Sequence, residues 1–279
     1  MCATCGCEDG AGVRVQRPGG PVHDAHSPDG LVHDAHDHDS HDHDSHDHDG
    51  PAHQHHDGDV AGRTVMLQQK VLAKNDRLAE VNRAWLLRQG ILAINLMSSP
   101  GAGKTTLLER TAREAGAALG LAVIEGDQET TLDAGRIEAA GAAVVQINTG
   151  AGCHLDAAMV AQGLRVLDPR PGSVLVVENV GNLVCPALFD LGEQARVVIA
   201  SVTEGADKPV KYPQMFRAAD LVLLSKVDLL PYLDFDAARF AADLKGVSPR
   251  AEILAISATS GEGMPAWYDW LSQRTPPRS

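Results

Sequence analysis

The chain has 279 residues, 44% of them apolar, and a formal net charge of −13. That length suits one domain of ordinary size plus a tail. Residues 1–60 hold two arginines against thirteen acids, while residues 61–279 hold 22 basic residues against 24 acidic ones; the body therefore lacks the basic field that DNA or RNA needs, and the acidic tail attracts cations.

The first seven residues read Met-Cys-Ala-Thr-Cys-Gly-Cys. They have no apolar core behind a basic start, so a signal peptide is not expected. No later segment reaches the eighteen or so apolar residues of a membrane span, and a cytoplasmic protein without a membrane anchor is expected. In that compartment thiols stay reduced, and Cys2, Cys5 and Cys7 read as metal ligands before disulfides. Thiolates so closely spaced favour a soft or borderline ion. With the Met1 amine as a fourth donor the set suits square-planar Ni²⁺, whereas Zn²⁺ asks for a tetrahedron.

Residues 8–60 are rich in Gly, Asp, His and Ser, and the first 60 residues hold twelve of the thirteen histidines. Too little apolar surface is present to offset ordering entropy, so the segment is expected to be disordered without metal. Val-His-Asp-Ala-His recurs at 22–26 and 32–36, and His-Asp-His-Asp repeats from 36 to 49. Imidazoles without fixed geometry bind several divalent ions with modest selectivity, which suits storage or buffering. The domain boundary is expected near residue 60, with a metal-binding tail over 1–60 and a nucleotide-binding domain over 61–279.

Val65, Leu72, Leu78, Val81, Trp85 and Leu86 predict a helix that stops at Gly90. Beyond it, apolar runs alternate with helix-like stretches. The predicted strands are 91–97, 121–125, 143–148, 173–178, 196–202, 221–225 and 253–257. Ala-rich helices are predicted at 105–119 and 157–167. Short, doubly buried strands alternating with helices predict an α/β fold with a mostly parallel sheet covered on both faces.

The strand 91–97 runs into Ser98-Ser99-Pro100-Gly101-Ala102-Gly103-Lys104-Thr105-Thr106, and a helix follows. This is the setting of a P-loop. Backbone N–H groups close around a phosphate, Lys104 reaches the β/γ oxygens, and the Thr105 hydroxyl binds Mg²⁺. Ser98 stands where the first glycine of the motif is usual. Asp127 and Glu178 end predicted strands, which places them on the edge where ligands bind in such folds. With Lys104 they are the candidate catalytic groups: the two carboxylates hold Mg²⁺, directly or through water, and orient the attacking water.

Cys153-His154 and Cys185 follow the strands that end at Asn148 and Glu178. Three soft ligands on the nucleotide edge make a second metal site, with a fourth position open or filled from a second protomer. Ser225-Lys226-Val-Asp228 resembles the Asn-Lys-x-Asp of GTPases, in which the aspartate accepts hydrogen bonds from guanine. Asp228 fits that role, the Lys226 stem covers the base, and Ser257-Ala258 supplies a backbone donor for guanine O6. GTP is therefore expected over ATP.

Taken together, these motifs identify the chain as resembling the hydrogenase nickel-incorporation GTPases, the HypB family of the SIMIBI class. The residues that carry the resemblance are Cys2-x-x-Cys5-Gly-Cys7, the P-loop at 98–105, Glu125-Gly-Asp-Gln-Glu-Thr130, Cys153-His154, Glu178-Asn-Val-Gly-Asn-Leu-Val-Cys185 and Lys208-Pro-x-Lys-Tyr-Pro213. Asn75-Asp76, Asn82-Arg83 and Leu229-Leu-Pro-Tyr232 also match. The resemblance implies a GTP-dependent homodimer that delivers Ni²⁺ to the large subunit of a [NiFe]-hydrogenase. It implies a HypA-type accessory protein as partner, a tight nickel site at Cys2, Cys5 and Cys7, and a nickel/zinc site at the dimer interface formed by Cys153, His154 and Cys185. Lys208 is similar to a residue that helps hold the nucleotide. Two other readings compete: a nickel or zinc storage protein with a regulatory nucleotide domain, and a related GTPase serving urease or a cobalamin enzyme.

Overall fold

The computed structural model describes residues 13–20, 22–24, 57–127, 132–150 and 152–276. The expectations for Cys2, Cys5, Cys7 and the His/Asp repeats beyond residue 24 lie outside these residues.

Nine strands form one sheet: β1 (Arg14–Gln16), β2 (Val22–Asp24), β3 (Leu92–Ser98), β4 (Ala122–Asp127), β5 (Ala143–Asn148), β6 (Val174–Glu178), β7 (Ala195–Ser201), β8 (Leu221–Ser225) and β9 (Glu252–Ala255). Their order is β2-β1-β5-β4-β6-β3-β7-β8-β9. From β3 to β9 every pairing is parallel. Each strand predicted from an apolar run is present, with ends shifted by at most two residues. All of them are doubly buried except β9 at the edge.

Helices cover both faces, as the alternating pattern predicts. Helices α2 (Lys104–Leu119), α3 (Leu132–Ala139) and α8 (Met264–Arg274) close one face, burying Leu107, Ile137, Trp267 and Leu271 against Ile94, Val123 and Val197. Helices α1 (Asp57–Arg88) and α4 (Ala157–Leu167) cover the other, where Leu86 and Leu164 meet Ile124, Ile147 and Leu175. Two short helices, α5 (Lys208–Lys211) and α6 (Pro213–Arg217), lead towards α7 (Ala237–Val247), and Phe216 and Phe240 pack over Val198 and Val222. Among the described residues no helix is long and apolar enough to cross a membrane.

The expectation of disorder across 8–60 is corrected at two places. Residues 14–16 and 22–24 form an antiparallel hairpin, and β1 pairs with β5. Composition misses this because the hairpin needs no core of its own. It borrows the free edge of a sheet already built, and buries one valine, Val15, opposite Ile147. Arg17 then donates to the Val166 carbonyl at the end of α4, 2.8 Å away. Helix α1 also starts earlier than its apolar pattern predicts, at Asp57.

The buried face of α1 differs too. Val81, predicted on it, is 65% exposed, while Asn75, Ala79, Asn82 and Leu86 are buried. The two asparagines are there to bond loops. Asn75 accepts from Ala157 N (2.9 Å) and donates to Asp190 O (2.8 Å). Asn82 donates to Ala157 O (2.8 Å) and Leu191 O (3.1 Å). The helix thereby grips the start of α4 and the 190–191 turn, the far ends of the two loops that carry Cys153-His154 and Cys185.

Candidate functional site

Because β3 to β9 run parallel, Ser98, Asp127, Asn148, Glu178, Ser201 and Ser225 all end on one edge of the sheet. The P-loop leaves β3 there. Gly101 and Gly103 take φ of 73° and 105°, a left-handed backbone that only glycine adopts cheaply, and Lys104 opens α2. Lys104 Nζ donates to Ser98 Oγ at 3.0 Å. The serine that replaces the motif's first glycine thus holds the P-loop lysine in place.

A cavity of about 490 Å³ opens over this loop. Pro100, Gly101, Gly103, Lys104, Thr105 and Thr106 line one side, and Asp127, Glu178 and Lys226 line the others. Thr105 Oγ1 lies 3.0 Å from both Glu178 Oε1 and Asp133 Oδ2. Sheet register then adds a carboxylate that the sequence reading did not place in the site. Glu125 sits beside Glu178 on adjacent parallel strands, and both side chains are buried.

Burial drives the Glu125 carboxyl up to about 9, with the charges of Glu178 and Asp127 adding to the effect. It lifts Glu178 to about 7, against the pull of Lys104 and the Thr105 hydroxyl. Glu125 Oε2 and Glu178 Oε2 have no hydrogen-bond partner. A hydroxyl, clustered buried carboxylates and two unsatisfied oxygens are a donor set that fits Mg²⁺, a hard cation with oxygen ligands.

The base-side residues are brought together partly. Val227 N bonds Ile256 O (3.2 Å), which sets the 226–228 turn against 257–258. Lys226, itself left-handed (φ 61°), reaches back to Gly101 O at 2.7 Å. Ser225 stands where GTPases usually have Asn, and it performs a bracing role, donating to Ala102 O at 2.8 Å. Asp228 Oδ1 is buried with no hydrogen-bond partner, and Asp228 does not line the cavity. Ser257 Oγ accepts from Ser260 N (3.0 Å), and Ala258 O accepts from Arg110 of α2 (2.9 Å). Ser99 Oγ bonds Glu204. Lys208 stacks over the Tyr212 ring at 5.1 Å and does not line the cavity.

On the same edge, Cys153, His154 and Cys185 converge. One ligand atom from each lies within 4.8 Å of the other two. They come from different loops, one after β5 and one after β6, separated by β4 in the sheet. Cys153 Sγ is 3.7 Å from His154 Nδ1. His154 stacks on Phe189, centroids 3.9 Å apart, and burial lowers its pKa. Burial thereby favours the neutral imidazole, the form that ligates a metal. Asn182 shapes the other loop, accepting from Val184 N at 2.7 Å and from Cys185 N at 3.4 Å. Val184 and Leu188, flanking Cys185, are each 49% exposed.

Asp133, Glu125 and Asn179 line the cavity and were not assigned to the site from the sequence, although Glu125 and Asn179 lie in runs that carry the family resemblance. A signal existed for Glu125: an acid inside an otherwise apolar strand is seldom there without a partner or a task. Asp133 sits in an ordinary helical first turn, where nothing marks it.

The family model described as CobW/HypB/UreG, nucleotide-binding domain, matches residues 92–255. The hydrogenase maturation factor HypB of Rhizobium leguminosarum bv. viciae is 55% identical over 209 residues, covering 75% of this chain and 70% of that protein. The crystal structure of HypB from Archaeoglobus fulgidus superposes with a TM-score of 0.69 at 41% identity, covering 74% of this chain and all of the other. That of HypB from Helicobacter pylori in complex with nickel gives 0.68 at 35% identity, over 74% and 99% of the two chains.

Proposed function

From the premise that this chain belongs to the HypB family of hydrogenase maturation factors, we propose that it is a GTP-hydrolysing nickel chaperone that loads the large subunit of a [NiFe]-hydrogenase. The observation that carries the reading is the placement of Cys153, His154 and Cys185 on the sheet edge that also holds the phosphate cavity. A soft-ligand cluster there can respond to what the cavity contains.

The chemistry of each group follows from its position. Lys104, steadied by Ser98, neutralises charge on the β/γ phosphates, and backbone N–H groups at the start of α2 add to it. Thr105, Asp127 and Glu178 hold Mg²⁺, with Glu125 and Asp133 beside them. The cation supplies charge neutralisation for phosphoryl transfer. On the base side, Asp228, with its unpartnered oxygen, selects guanine, since adenine cannot offer it two donors.

Nickel is the cargo. Cys153, His154 and Cys185 provide three donors, and a second protomer covering the exposed Val184 and Leu188 would complete a GTP-dependent homodimer around them. The same site accepts zinc, since both ions take thiolate and imidazole. The hairpin register favours supply from the tail. Arg14 pairs with both Asn148 and Asp24, so the chain enters at Arg14 and leaves at Asp24 on the metal edge. Cys2, Cys5 and Cys7 precede that point and the histidine repeats follow it. A HypA-type protein would dock on the same edge.

The test is Lys104→Ala in the full chain. GTP hydrolysis should fall to background, and the nickel content of the hydrogenase large subunit in cells should fall with it. Undiminished nickel loading would overturn the reading in favour of a storage role.

A further inference from the structure

Between the phosphate cavity and the metal ligands lies one fully buried amide, Asn179. Its Oδ1 accepts from Leu155 N (3.1 Å) and from Val180 N (3.0 Å). Its Nδ2 donates to Asn95 Oδ1 on β3, 3.2 Å away. Its own N–H bonds Leu96 O at 3.0 Å. Asn179 therefore touches both sites through covalent neighbours. Glu178 precedes it and accepts from the P-loop Thr105. Leu155 follows His154 directly, and Cys185 lies six residues beyond Asn179 on the same loop.

Packing closes the remaining freedom. The Leu155 side chain fills the space over Gly126, where an added Cβ would come within 2.8 Å of it, next to Asp127. At Gly181 a Cβ would come within 3.1 Å of Pro100 in the P-loop. These contacts leave little free space beside the Glu178–Asn179 segment, and the Leu155 N–H has the Asn179 amide oxygen as its acceptor.

We propose that Asn179 is the positioning residue through which nucleotide state sets the geometry of the metal site: it hands movement at Glu178 to the backbone of Leu155, and so to His154 and Cys153. The proposal rests on the nucleotide-and-nickel reading above. It requires metal to bind differently in the two nucleotide states, and linkage then makes the effect mutual.

The test uses the full chain carrying Cys2→Ala, Cys5→Ala and Cys7→Ala, so that Cys153 and Cys185 are the remaining thiols of the five. Co²⁺ is titrated, and the thiolate-to-cobalt charge-transfer band is read with GDP and with a non-hydrolysable GTP analogue. Histidine repeats compete equally in both states and cancel in the ratio. The two states should differ in Co²⁺ affinity by at least about 5-fold. Asn179→Ala should bring the ratio below about 2-fold, and so should Asn95→Ala, which removes the anchor from outside both sites and serves if Asn179→Ala does not fold. Asn82→Ala, which loosens the same loop from its far side, should lower stability and keep the ratio.

Equal weakening in both states by Asn179→Ala and Asn95→Ala, with the ratio preserved, would overturn the proposal and leave those residues a structural role. A ratio near one before any of these changes would overturn it as well. Intact GTP hydrolysis in that case would leave the chaperone reading standing.

Discussion

Glu125→Gln should stabilise the nucleotide-free, Mg²⁺-free protein at neutral pH and flatten its dependence on pH. Glu125 is buried beside Glu178, and its carboxyl is raised from an ordinary 4.5 to about 9. A carboxyl raised in this way binds its proton more tightly folded than unfolded. The associated stability is fully present below pH 4.5 and is lost as pH rises from there towards 9. At pH 7 the loss reaches about 3 kcal/mol, taking ~1.4 kcal/mol per pH unit. The charge of Glu178, itself lifted to about 7, contributes to the Glu125 shift, so about 1–3 kcal/mol is expected for Glu125 by itself. Glutamine carries no charge at any pH and keeps the volume. In EDTA, thermal unfolding at pH 7.5 should therefore rise by roughly 3–10 °C for a domain of this size. Chemical denaturation between pH 5 and 8.5 should show a shallower decline than in the parent. Saturating Mg²⁺ and nucleotide should erase or reverse the gain, because the carboxylate charge then has a cation nearby. A variant less stable than the parent throughout that range, or with an unchanged slope, would refute the buried-charge argument.

Asp228→Asn replaces an acceptor-only carboxylate with an amide that also donates, so GTP should weaken and xanthosine triphosphate should gain in a competition assay; an unchanged preference would remove Asp228 from the base pocket. Asn82→Ala strips two bonds from buried carbonyls and should cost about 2–3 kcal/mol in urea unfolding; a loss under about 0.5 kcal/mol would mean that water replaces the amide. Deleting residues 23–56 should lower the number of Ni²⁺ ions bound, counted by equilibrium dialysis, while sparing the tightest. Cys2→Ala or Cys5→Ala should lose that tightest ion, and its survival in both variants would place it elsewhere.

Much of this protein is determined locally, and that part is legible in the sequence. The P-loop is a continuous run whose glycines take the φ angles their lack of a side chain permits, and it sits between a strand and a helix as predicted. Seven strands are visible because each is an apolar run between helices, and all but the edge strand β9 are buried from both sides. Cys153, His154 and Cys185 could be assigned to the ligand edge because every parallel strand ends there.

The tertiary structure decided what depends on which strands are neighbours. Strand order puts β6 against β4, and that pairing alone sets Glu125 beside Glu178 and places a strand acid among the carboxylates that line the cavity. It also folds the loops after β5 and β6 towards each other, which brings Cys153, His154 and Cys185 within 4.8 Å of one another. The hairpin at 14–24 was hidden by composition because its stability comes from the edge of β5, a surface that exists only after the sheet has formed. Nothing in the apolar pattern of the sequence marks Asn75, Asn82 and Asn179 as buried. Each is buried because it bonds backbone groups of the turns packed around it, such as Ala157 N, Asp190 O, Leu191 O and Leu155 N, and an unpaired polar group in the interior costs more than burying an amide that pairs with it.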